Sequence, residues 1–219
     1  MRNLLLTMFL LLSSHSAYAC YDKGQSDKVN FDNCLPLAEQ GNVRAQAILA
    51  LMYDEGRGVT QDDKQAVKWY RKAAEQGDAY AQYNLGVRYE NGKGVTQDYK
   101  QAVKLYRKAA EQGLASAQFN LGNMYNGGQG VTQDYKQAVK WYRKAAEQGY
   151  ASAQFNLGNM YASGQGVTQD YVLAHMWWNI AASAGIESAL KNRDRVAEVL
   201  SPSQIKKAHE MAREWTAKH

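Results

Sequence analysis

Residues 41–185 are one 36-residue unit written four times. Gly-Val-Thr-Gln-Asp occurs at 58–62, 94–98, 130–134 and 166–170. Ala-Ala-Glu-Gln-Gly occurs at 73–77, 109–113 and 145–149, and decays to Ala-Ala-Ser-Ala-Gly at 181–185. A fixed period in the range of 20–50 residues means a stacked array, in which no unit buries its apolar face alone. Such arrays mostly bind rather than catalyse, so the period constrains function as well as fold.

Each unit reads as a helical hairpin. In 79–112, Ala81, Leu85 and Tyr89 recur every four residues and line one helical face. Gly86 recurs as Gly122 and Gly158, which points to close helix–helix approach rather than a tolerated helix defect. Gly92 and Gly94 end the first helix, and Asp98-Tyr99-Lys100-Gln101 has the spacing of a capping box for the second. On that second helix Lys100, Lys104, Arg107 and Lys108 share a strip, with Ala102, Tyr106, Ala109 and Ala110 opposite. The strip recurs as Lys64/Lys68/Arg71/Lys72 and Lys136/Lys140/Arg143/Lys144. The expected fold is all-α: a right-handed α-solenoid of 36-residue hairpins (42–77, 78–113, 114–149, 150–185), first helices on the inner wall. A cap at 20–41 precedes it and a helix pair at 186–219 follows.

The ends set the compartment. Arg2, the apolar run Leu4 to Leu12 and Ala17-Tyr18-Ala19 form a secretory signal over 1–19. No other apolar run approaches transmembrane length. The chain is therefore expected to be exported, periplasmic or secreted, starting at Cys20. The alternative is a lipid anchor on Cys20, but Ala17 stands where lipoprotein signals place Leu, and bulky Tyr18 follows. Cys20 and Cys34 are the only thiols, and an exported chain should pair them. Pro36 would break a helix interior, which predicts a short cap helix with Pro36 in its first turn. Beyond the array, Val196, Val199 and Leu200 suggest a helix over about 186–200. Ser201-Pro202-Ser203-Gln204 then starts an amphipathic last helix. Val172, Met176, Asn179 and Ile180 replace the basic strip in the fourth unit, and the last helix is expected to cover them.

The pattern A-x-x-x-L-G-x-x-Y-x-x-G-x-G-V-x-x-D-x-x-x-A-x-x-W-Y-x-K-A-A-x-x-G resembles the Sel1-like repeat, and Gln118 to Tyr125 also resembles the first helix of a tetratricopeptide repeat. The resemblance implies an interaction adaptor of the bacterial cell envelope. Cysteine-rich relatives of the Helicobacter type are described as β-lactam hydrolases, but their Cys pair in each repeat is missing here. A structural component of an envelope assembly is a further alternative.

Chemistry that would make an enzyme is sparse. Ser188/Lys191 and Ser203/Lys206 form Ser-x-x-Lys without the Ser-Asp-Asn and Lys-Thr-Gly partners of serine β-lactamases. His175, His209 and His219 are widely separated in sequence, so neither a metal site nor a cofactor is expected. Without the signal, 25 basic residues face 21 acidic ones, far from the charge of a nucleic-acid binder. The basic strip is either a solvated face or a contact for an anionic envelope surface.

The candidate binding groove is the inner wall. Tyr83 and Val87 lie roughly 130–170° from the Ala81/Leu85/Tyr89 face, so packing within the hairpin should not explain them. Their equivalents are Phe119 and Asn123, then Phe155 and Asn159. Either these rings pack between repeats, or rings and amides form a ladder for an extended peptide. Asn84, Asn120 and Asn156 are expected to tie adjacent helices.

Overall fold

The computed structural model describes residues 20–218; the segment read as a signal, 1–19, and His219 lie outside the described residues. Eleven α-helices and no strand occur among the described residues. They are α1 (Asp27–Glu39), α2 (Val43–Glu55), α3 (Asp63–Glu75), α4 (Ala79–Asn91), α5 (Tyr99–Glu111) and α6 (Ala115–Gly127). Then come α7 (Tyr135–Glu147), α8 (Ala151–Ser163), α9 (Tyr171–Ser183), α10 (Glu187–Ala197) and α11 (Pro202–Lys218). This is the helical-hairpin solenoid that the period demands. The described residues divide into two compact units, the first ending at Asp98 and the second beginning at Tyr99. No described helix is long and apolar enough to cross a membrane.

Local chemistry sets the helix ends. In the first unit, Asn42 and Asp78 cap α2 and α4 by accepting from the amides of Ala45 (2.9 Å) and Ala81 (2.7 Å). Asp62 caps α3, and in the second unit Asp134 and Asp170 cap α7 and α9. The first helices stop at Gly56, Gly92, Gly128 and Gly164, each left-handed with φ of 67–70°. The second glycine of each Gly-x-Gly has a different reason. A Cβ on Gly130 would collide with the carbonyl of Tyr99, at the start of α5, the second helix of the preceding repeat. The motif therefore both ends a helix and allows the backbones of consecutive repeats to touch.

Alanines and glycines let the helices approach. Ala138, Ala145, Ala146, Ala153 and Leu157 are buried together in the second unit. A Cβ at Gly122 would lie 2.7 Å from the Tyr142 ring, and one at Gly158 2.7 Å from the Trp178 ring. The recurring helix glycine thus makes room for the large ring of the facing second helix.

In the first and third repeats two glutamines form a buried amide relay. Gln46, Gln82, Gln118 and Gln154 donate through Nε2 to the carbonyls of Ala38, Ala74, Ala110 and Ala146. The Nε2 of Gln76 donates to Gln46 Oε1, and that of Gln148 to Gln118 Oε1, both at 2.8 Å. The glutamine of Ala-Ala-Glu-Gln-Gly therefore saturates a buried acceptor in its own repeat.

The cap helix corrects one expectation. α1 is thirteen residues long and Pro36 lies inside it as its tenth residue, not in its first turn. Proline there forgoes one backbone hydrogen bond and costs ~3 kcal/mol. Asn30, Phe31, Cys34 and Ala38 nevertheless form a buried face, and Phe31 meets the Tyr53 ring edge-on at 5.4 Å. Cys34 is bonded to Cys20. Burying the Phe31 ring contributes ~1.5–3 kcal/mol and closing the disulfide loop ~3 kcal/mol. Together these outweigh the proline penalty.

At the other end, α10 is shorter than expected and Val199 is 69% exposed, because the chain turns away after Ala197. α11 starts as read: Ser201 Oγ accepts from the Gln204 amide at 3.3 Å, and Gln204 Oε1 accepts from the Ser201 amide at 2.8 Å. The helix lies on α9. Met211 and Trp215 pack against buried Met176, Trp177 and Ile180, with the Trp177 and Trp215 rings 5.7 Å apart.

Candidate functional site

The six groove positions are all half-buried. Tyr83 and Val87 lie on α4 in the first unit. Phe119 and Asn123 on α6, and Phe155 and Asn159 on α8, lie in the second. The expectation that hairpin packing leaves these positions alone does not hold in the second unit. Phe119 packs on Tyr142 of its own hairpin (6.0 Å) and on Tyr150 (5.2 Å). Phe155 packs against the Trp178, Ala189 and Val196 cluster. The ring ladder is in part an inter-helix seam.

The asparagines are more informative. Asn123 Oδ1 accepts from the Tyr142 hydroxyl (2.8 Å) and from Asn156 Nδ2 (3.3 Å). Asn159 Oδ1 accepts from Trp178 Nε1 (3.1 Å) and from Asn192 Nδ2 (3.3 Å). Asn156 thus ties adjacent helices, as its position suggested, and Asn192 repeats the tie one helix further on. The amide oxygens are committed to the fold, which fixes each amide plane. Among the described residues neither Asn123 Nδ2 nor Asn159 Nδ2 donates to a protein group. The second unit thus carries two oriented amide N–H donors, at Asn123 and Asn159.

Trp178 and Asn192, the two partners of Asn159, line a recess of about 340 Å³ together with Ala162, Tyr171, Arg195, Val196 and Val199. Tyr171 is 41% exposed at its edge. Sequence reading missed this recess, because Trp178 there reads only as extra apolar area and α10 falls outside the repeat.

Other candidate chemistry is placed as follows. Cys20 and Cys34 form a disulfide, with Cα atoms 4.7 Å apart. The basic strips are exposed, but rings engage several of their cations. Arg71, Arg107 and Arg143 donate to the hydroxyls of Tyr89, Tyr125 and Tyr161. Lys72 and Lys144 sit 4.5 and 5.0 Å from the centres of Trp69 and Trp141. The separation of the histidines in sequence is misleading. The His175 and His209 rings lie 5.1 Å apart, tilted by 54°, and burial pushes the His175 pKa down to about 4. No group of three metal-ligating side chains gathers among the described residues. Ser188, Lys191, Ser203 and Lys206 are all exposed, and the Lys206 ammonium lies 3.8 Å from Glu210.

One buried charge was not anticipated. Arg88 pairs with Asp54 and, at 2.7 Å, with Asp63, while its side chain is 8% exposed. Burial lowers the pKa of this guanidinium. In the other repeats Met52, Met124 and Met160 hold the position of Arg88.

A family model described as the Sel1 repeat matches residues 43–78, 79–114, 115–150 and 151–186. No curated protein matches the chain. Among solved structures, it is similar to a protective antigen present in uropathogenic Escherichia coli strains displaying an SLR fold, at 41% identity and TM-score 0.81. That match covers 87% of this chain and 41% of the antigen. It is also similar to a Sel1 repeat protein from Oxalobacter formigenes, at 41% identity and TM-score 0.72, over 78% of this chain and 50% of that one. The chain thus spans half or less of the length of these two relatives.

Proposed function

Since the chain belongs to the Sel1 repeat family, whose members are commonly protein-interaction scaffolds, we propose that it is a non-enzymatic adaptor of the bacterial cell envelope that holds an extended segment of a partner protein along its first helices. The observation that carries this reading is the pair of asparagines whose oxygens are tied into the fold while their Nδ2 groups are not. A peptide backbone laid along that face would present carbonyl oxygens to those donors. The recess beside Trp178 and Val199 would take an apolar side chain of the same segment. Export is supported by the Cys20–Cys34 disulfide, a bond that persists in oxidising compartments. The exposed Ser-x-x-Lys pairs lend no support to a hydrolase, and clean protein should not turn over nitrocefin.

Photo-cross-linking from position 162, at the recess beside Trp178, in native cells, followed by mass spectrometry, identifies the partner. Asn123→Asp with Asn159→Asp keeps the acceptor oxygens and removes the N–H donors. Affinity for that partner should fall at least tenfold, about 1.4 kcal/mol, with an unchanged melting temperature. Asn→Ala at the same positions breaks the ties to Tyr142 and Trp178 and should lower the melting temperature as well. Undiminished affinity in the Asp pair places the binding surface elsewhere.

A further inference from the structure

The fourth repeat breaks the glutamine relay. Ala184 stands where Gln76 and Gln148 stand in earlier repeats. Gln154 still donates its Nε2 to the Ala146 carbonyl, which fixes the orientation of its amide. Its Oε1, on a side chain in a residue only 2% exposed, has no hydrogen-bond partner among the described residues. This acceptor borders a cavity of about 410 Å³, lined also by Gly149, Ala184, Trp215 and Thr216 and flanked by Glu147. A buried acceptor without a donor is costly, and native proteins nearly always satisfy such groups.

The first repeat shows what fits. Gln76 Nε2 donates at once to Gln46 Oε1 (2.8 Å) and to the Gly41 carbonyl (3.1 Å). The equivalents of those two acceptors in the fourth repeat are Gln154 and Gly149, and both line the cavity. We propose that this cavity beneath α11 binds a primary carboxamide, the side chain of a glutamine or asparagine of a partner protein, in the place left by the missing repeat glutamine. One NH2 group would meet both acceptors, and the Trp215 ring would cover the aliphatic stem. The site is separate from the face of first helices and does not depend on the adaptor reading.

The test uses the full mature chain and the side-chain amide resonance of Gln154, titrated with propionamide. Titration runs to ~100 mM, since a fragment of this size has few atoms with which to bind. Propionamide should shift that resonance saturably, and N,N-dimethylpropionamide, which has no N–H, should not. Ala184→Gln restores the repeat residue; it should raise the melting temperature and weaken propionamide binding at least tenfold. Ala184→Leu fills the cavity without a carboxamide and should abolish the shift as well, so the result does not hang on one variant. No saturable shift means that water alone serves Gln154, and the proposal fails. Equal shifts from the dimethyl compound, undiminished binding in both variants, or tighter binding of propylammonium than of propionamide would also overturn it.

Discussion

His175 shows how one substitution in a repeat acquires a property that the other copies lack. It occupies the position of buried Val67, Val103 and Val139. Burial first, then the neighbouring His209 and Arg193 with Asp194 opposing them, pushes its pKa from 6.5 down to about 4. Between those values the unfolded chain binds a proton that the folded chain rejects. Stability is therefore full above pH 6.5 and falls as pH drops toward 4. Thermal melts should show that decline in the native chain, and His175→Val should flatten it over the same window. An unaltered pH profile in the variant would assign the decline to other groups. A histidine in a valine slot is visible in the sequence. Its partner His209 is not, because only the return of α11 over α9 brings the two rings together.

At the scale of the element, turns and helix pairs carry distinct costs. Gly149 has φ of 81° with open space around its missing Cβ, whereas Gly130 has φ of 70° and backs onto the Tyr99 carbonyl. Gly149→Ala should cost only the left-handed strain, ~1–2 kcal/mol. Gly130→Ala must also push two backbones apart and should cost clearly more in urea unfolding. Equal costs would mean that the repeats do not meet there. The Arg88 cluster gives a second asymmetry between α3 and α4. Asp54→Ala with Asp63→Ala strands a buried guanidinium and should cost ~3–5 kcal/mol. Arg88→Met installs the residue of the other repeats and leaves two carboxylates that reach water, so its cost should be much smaller in the same measurement.

For the whole molecule, the period supplies repetition and the ends make it stop. The fourth repeat exchanges its basic strip for Val172, Met176, Asn179 and Ile180, and α11 covers them. Ending the chain after Ser201 exposes Met176, Trp177 and Ile180, each worth ~1.5–3 kcal/mol when buried. The truncated chain should aggregate or melt far lower, checked by light scattering and calorimetry. A monomer with an unchanged melting temperature would show that the patch needs no cover. At the other end, α1 and the Cys20–Cys34 bond close the array.

The sequence by itself determined the hairpins, their 36-residue register, the helix stops, the buried alanine faces and the Ser201 capping box. These are local matters of dihedral preference, capping and periodicity, repeated until chance is excluded. The likeness to the Sel1 repeat was legible for the same reason. Only the tertiary structure decided which side-chain atoms were already spent. It placed the Asn123 and Asn159 oxygens on Tyr142 and Trp178, kept Pro36 inside a helix, paired Arg88 with Asp54 and Asp63, and left Gln154 without a donor. Periodicity assigns a residue to a face, but a hydrogen bond depends on the distance and angle between atoms on different helices. Those are set by how the helices pack, which depends on every ring and glycine between them.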